Sequence, residues 1–206
     1  MSNEKLIGIL YMIIPMLLSL SIHEFAHAYV AYKLGDTSQK YRGRLTLSPL
    51  AHVDIFGLIS LLLIGFGWGK PVEVDDSNFE NRRKDMLMVS LAGPLSNLVF
   101  AFVLTIIFKI MLVLGFNSFK ILNTIIIQTI VLNVILAAFN MIPLPPLDGS
   151  RLLFYFLPSK FKNIEIFLTR YSFIILLILI VTGLSDILIT PVIMGISKLL
   201  MGILGI

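Results

Sequence analysis

Residues 6–27 read LIGILYMIIPMLLSLSIHEFAH, an apolar run that closes on two histidines and a glutamate. No charge interrupts the stretch from Leu6 to Ile22. A run of this kind predicts a helix that crosses the bilayer. On a helix, positions i and i+4 share a face, so His23 and His27 point the same way about one turn apart. That spacing lets two imidazoles grip one zinc ion. Glu24 follows the first histidine, where a general base reaches a water activated by the metal. Three blander readings compete. A chance His-x-x-x-His on a solvated helix does not fit the apolar flanks. Structural histidines held by a carbonyl are common singly, but each ionisable group near mid-bilayer costs about 2.5 kcal/mol or more without partners. A di-iron histidine box needs many more histidines than the three in this chain.

Composition bounds the class. Of 206 residues, 57% are hydrophobic and only 14% charged, which points to an integral membrane protein in a single embedded unit spanning 1–206. The absence of cysteine excludes thiolate ligands and disulfides. The net charge of +4 is no nucleic-acid signal, because the basic residues flank hydrophobic spans. The N-terminal stretch lacks a small-x-small cleavage site, so it reads as a retained span rather than a signal peptide.

The expected architecture is an all-α polytopic membrane protein with four to six transmembrane helices, a re-entrant segment and a short membrane-associated β-hairpin. Span one covers about Lys5 to Leu34, span two about Asp85 to Leu114, span three about Phe119 to Met141 and span four about Ile164 to Leu184. Residues 55–66 are apolar but too short to cross about 30 Å of hydrocarbon, so a re-entrant or interfacial piece is expected there. Gly67 to Val74 reads as hairpin, since Gly and Pro oppose helix and Val72-Glu73-Val74 alternates. The tail from Ile187 is apolar enough to span, although Pro191 and three glycines weaken it. Basic residues gather between spans one and two and between spans three and four. The positive-inside rule then puts the N-terminus outside the cell membrane and residues 35–84 in the cytoplasm.

A second constellation follows span three: Asn140-Met-Ile-Pro-Leu-Pro-Pro-Leu-Asp148-Gly149. Three prolines end the helix. Non-helical backbone at membrane depth survives only where protein buries it or a wet cavity borders it. His23 lies roughly 27 Å along span one and Asn140 roughly 31 Å along span three, at about 1.5 Å per residue. Both spans start on the same side, so both positions reach the same inner level. Asp148 can therefore join the histidines as a third ligand. The alternatives are a plain helix cap at Asp148, with His52 as the third ligand instead.

His23-Glu24-x-x-His27 followed by Asn140-x-x-Pro143-x-x-x-x-Asp148-Gly149 resembles the site-2 protease family of intramembrane zinc metalloproteases. Ser48 to Asp54 resembles a family loop, Gly67 to Val72 its membrane-associated hairpin, and Gly93-x-x-x-Asn97 an element of its second core helix. The resemblance covers most of residues 15–157. It implies zinc held by His23, His27 and Asp148, with Glu24 as the catalytic base. It implies that Asn140 contacts substrate or the developing oxyanion, and that Gly93 and Asn97, which read equally well as helix packing, line the site. It also implies a minimal catalytic core of about residues 5–157, followed by C-terminal helices at about 164–206, without a PDZ or regulatory domain. The exposed edge at Val72 is read as a strand to which an unwound substrate pairs. The function expected is hydrolysis of peptide bonds in transmembrane proteins. The rival is a membrane metal-binding or transport protein, which needs the ligands but not the adjacent base.

Overall fold

The computed structural model describes residues 3–64 and 68–205. Eight α-helices of four residues or more are found among them: α1 (Asn3–Lys33), α2 (Ser38–Tyr41), α3 (Ile55–Ile64), α4 (Arg82–Val113), α5 (Lys120–Asn140), α6 (Gly149–Phe156), α7 (Lys162–Val181) and α8 (Leu184–Leu204). Among the described residues, five segments are long and apolar enough to cross a membrane: Tyr11–Lys33, Arg82–Val113, Lys120–Asn140, Ser159–Val181 and Leu184–Leu204. The C-terminal tail is thus a continuous helix that accommodates Pro191.

Helices α1, α4 and α5 pack on one another and form the centre of the bundle. Small residues let them approach: Ser19, Ala28 and Ala31 on α1, Ala101 on α4 and Ala137 on α5 are all buried. Helix α8 lies against α4 and α5, and α7 against α8. Asn81 caps α4 by accepting from the Lys84 N–H, while Asp85 accepts from the Asn81 N–H. This reciprocal pair fixes where the second span begins.

Helix α5 stops at Asn140, as the prolines dictate. The turn after it does not hang loose. Ile142, Leu144 and Leu147 bury against Ala138 and, from α8, Ile189. Gly149 closes the turn at a point where a Cβ would lie 2.3 Å from the Met141 carbonyl oxygen, so only glycine lets the chain fold back this tightly. Asp148 is thereby held beside the end of α5.

Two expectations are corrected. Residues 55–64 form the ten-residue helix α3, and the described residues do not support a re-entrant segment there. Nor is there a β-hairpin among the described residues. A single antiparallel bridge joins Val53 to Gly69, and Gly67 lies outside the described residues. The reason is where the backbone of residues 70–75 finds its partners. Pro71 has no N–H to give a ladder. The Lys70 N–H donates to the His52 carbonyl, Arg44 donates to the Lys70 and Pro71 carbonyls, Gln39 donates to the Glu73 carbonyl, and the Asp75 N–H donates to Asp36. Side chains of the preceding loop replace the second strand.

Asp36 anchors this loop. Buried itself, it accepts from the Ser38 and Asp75 N–H groups and from Gln39. Burial opposes its charge, but the bonds from Ser38, Gln39 and Asp75 prevail and hold its carboxyl below the usual carboxylate range. A depressed carboxylate stabilises the fold above its unfolded pKa and loses that contribution as pH falls through its folded pKa. We therefore expect Asp36→Ala to melt lower than wild type at neutral pH. The gap should narrow as pH falls through the ordinary carboxylate range and below it, read as thermal unfolding in detergent.

Candidate metal centre

Helix α1 presents His23 and His27 on one face, and the turn before α6 brings Asp148 to them. The three side chains offer Nε2, Nε2 and Oδ2 within 4.8 Å of one another. His23 Nε2 and His27 Nε2 stand 3.0 Å apart, and Asp148 Oδ2 lies 3.2 and 3.3 Å from them. Two donors on one tetrahedral ion, each at about 2.0 Å, are separated by about 3.3 Å. The sides of this triangle match that spacing.

The protons can be placed by elimination. Asn97 Nδ2 lies 3.1 Å from the Ser19 carbonyl oxygen and Asn133 Nδ2 lies 2.7 Å from the Thr129 carbonyl oxygen. A carbonyl only accepts, so both amide orientations are set. Asn133 Oδ1 then accepts from Asn97, and Asn133 also donates to Ser19 Oγ. Asn97 Oδ1 is left facing His23 Nδ1 at 2.6 Å, so that nitrogen carries the proton. His27 Nδ1 donates likewise to the Val89 carbonyl at 2.8 Å. In the neutral rings both Nε2 atoms then present lone pairs toward the Asp148 Oδ2, a buried carboxylate oxygen. Three unshielded lone pairs within this distance repel unless a cation sits among them, and the donor set suits zinc.

Gly93 explains how α4 comes so close. A Cβ at this position would lie 2.3 Å from His27 Nε2 and 2.6 Å from His23 Cε1. Neither Gly93 nor Asn97 borders the open cavity: Asn97, wholly buried, stands behind His23 at its Nδ1, and Gly93 lies against the Nε2 and Cε1 edges of the two rings. The cavity itself, of about 590 Å3, is lined by His23, Glu24, His27 and Asp148 together with Val72 and Asn140. The Glu24 Oε2 accepts from the Val72 N–H at 2.9 Å. Asn140 spends one amide proton on the Leu136 carbonyl of its own helix. His52 is not part of this cluster: it is buried elsewhere, its Nε2 2.8 Å from the Thr46 carbonyl oxygen.

Ser19, Thr129 and the carbonyl of Val89 are not among the residues that the sequence points to, and Asn133, a polar residue inside span three, bonds across to Asn97 and Ser19 on the neighbouring helices. Asn133 and Ser19 carried a usable signal, since polar side chains inside apolar spans are expensive. The Val89 carbonyl carried none. Overpacking costs about 1–3 kcal/mol. At the metal that amounts to roughly tenfold to a hundredfold in affinity, so Gly93→Ala should bind zinc that much more weakly than wild type in chelator competition. Ala92→Gly, one residue away, should leave affinity unchanged.

The sequence profile of peptidase family M50 matches residues 11–130 and 116–179. The Bacillus subtilis protein YwhC, named as a zinc metalloprotease, is 40% identical over 88% of this chain and 84% of its own. Rip2 of Mycolicibacterium smegmatis, named likewise, is 29% identical over 85% of this chain and 69% of its own. Zinc metalloprotease MJ0392 of Methanocaldococcus jannaschii is 27% identical over 80% of this chain and 39% of its own. No solved structure matches the chain. A family profile over most of the sequence, the apolar helices and a cluster of two buried histidines with a half-buried aspartate agree: this chain is a multi-pass membrane protein of peptidase family M50, the site-2 protease family.

Proposed function

We propose that the chain is an intramembrane zinc endopeptidase that hydrolyses peptide bonds in or near transmembrane segments of other proteins. His23, His27 and Asp148 hold the metal. The observation that carries this reading is the convergence of two bare imidazole nitrogens and an unpartnered carboxylate oxygen, with the Glu24 carboxylate on the same cavity wall. Zinc held there supplies a Lewis acid, which acidifies a water and polarises the scissile carbonyl.

Glu24 is the general base. It takes the proton from the attacking water and hands it to the leaving amine. The Val72 N–H on Oε2 fixes the carboxylate's tilt and leaves Oε1 to carry that proton. Asn140 turns its remaining amide proton toward the developing oxyanion. The substrate must unwind before its carbonyl can be attacked. Val74, and the carbonyl of Val72, then offer backbone groups to the opened strand. The N-terminus lies outside and the site opens near the cytoplasmic side, in keeping with the basic residues that flank the spans. The transport alternative has no use for a base beside the ligands, and the family relationship speaks against it.

Three outcomes test the reading. Glu24→Gln should retain about one zinc per chain and cleave no membrane-embedded substrate, since Glu24 is not a ligand. Elemental analysis beside a cleavage assay decides this; full activity in the variant would end the proposal. Val72→Pro removes the donor that holds Glu24 and should cut kcat about tenfold to a hundredfold at unchanged zinc content. Val72→Thr keeps the donor and should stay near wild type. For orientation, a cysteine at Ser118→Cys should react with impermeant reagents only from outside, and the native chain has no cysteine to confuse the signal.

A further inference from the structure

Beside the catalytic cavity lies a second one of about 290 Å3. Four cations line it, Arg82, Arg83, Arg151 and Lys162, against two carboxylates, Asp76 and Glu165. Among the described residues no salt bridge joins these groups. Arg83 is committed to the fold: it donates to the Phe154 and Leu157 carbonyls at 2.6 Å each and lies over the Tyr155 ring. The side chains of Arg82, Arg151 and Lys162 make no hydrogen bond among the described residues. Arg82 opens α4 and Lys162 opens α7, so the cavity sits where two spans enter the membrane.

Basic residues collect at span ends for reasons of topology alone. Topology requires neither a concave site nor an apolar annex, and this cavity has both. A groove of about 310 Å3 adjoins it, lined by Pro143, Leu152, Leu153, Phe156 and Phe161. The two share the wall made by Leu157 and Pro158. Helix α6 divides them, with Arg151 and Tyr155 toward the basic side and Leu152 and Phe156 toward the apolar side.

We propose that this pair of cavities binds one anionic phospholipid. Its phosphate lies among Arg82, Arg151 and Lys162, and an acyl chain runs along Leu152, Leu153, Phe156 and Phe161. Basic pockets between membrane helices are suited to phosphate headgroups. The excess of two positive charges favours a net-negative headgroup over a zwitterionic one. The apolar annex favours a lipid over free phosphate. The headgroup cavity shares Met86, Arg151, Phe154 and Glu165 with the catalytic cavity, so a bound lipid borders the path to the metal.

The test uses the purified full-length chain, delipidated and titrated with phosphatidylglycerol, with binding read by native mass spectrometry. This readout needs no peptidase activity, so the lipid site and the proposed reaction stand or fall separately. One phosphatidylglycerol should bind more tightly than phosphatidylcholine. The double variant Arg82→Gln, Lys162→Gln should bind it about 25-fold more weakly, at about fivefold per charge. Lys84→Gln, exposed at the same end but outside both cavities, should bind as wild type does. Phe156→Asn should weaken the lipid but leave affinity for glycerol phosphate unchanged. Equal losses in Lys84→Gln and the double variant would reduce the effect to surface potential and overturn the site. Displacement of the lipid by equimolar inorganic phosphate, or by an acidic peptide, would overturn the lipid assignment in favour of that ligand.

Discussion

The rest of this structure depends on placing two imidazoles and two carboxylates together on the wall of one cavity within a helical bundle. An unpartnered polar group in such surroundings costs several kcal/mol, on the order of the whole stability of a domain. The bundle meets this by saturating the back of the site. The amides of Asn97 and Asn133 have their protons placed on two backbone carbonyls, a hydroxyl and the Asn133 oxygen, leaving the Asn97 oxygen to receive the proton of His23. Three helices are needed to supply those groups. The arrangement of α1, α4 and α5 and the tautomer of a histidine are therefore one requirement expressed at two scales.

The front of the site obeys another logic. Asp148 arrives on a turn whose leucines are clamped by α8, and Glu24 is steadied by backbone from an extended segment outside the spans. The segment is itself held by Arg44, Gln39 and Asp36 from the preceding loop. Side chains serve here where a neighbouring strand was expected, because a segment that contains Pro71 and follows an isolated bridge cannot sustain a ladder.

This difference separates what the sequence made legible from what it did not. His23, His27 and Asp148 could be grouped from spacing and depth, since helical rise and proline breaks act along the chain. The spans could be read for the same reason, and the tail resisted only because a proline and several glycines oppose helix by propensity while the surroundings override them. The hairpin and the re-entrant piece failed because both depend on what lies across from a short segment. Val72 was singled out, but its N–H faces the base instead of standing free at an edge. Gly93 and Asn97 read equally as packing or lining, and their contacts with the imidazoles draw on both: Asn97 bonds to His23 Nδ1, and Gly93 leaves room for the Nε2 edges of the rings.

The bond from Val72 to Glu24 divides the centre into halves of unequal firmness. The ligands belong to helices and to a turn buried against them. The base takes its one described backbone partner from a stretch that crosses the surface on polar tethers. The two halves therefore respond differently to a disturbance of the surface. A change in the loop from Asp36 to Asp75 would shift the carboxylate of Glu24 through Val72 and leave His23, His27 and Asp148 where the helices and the buried turn hold them.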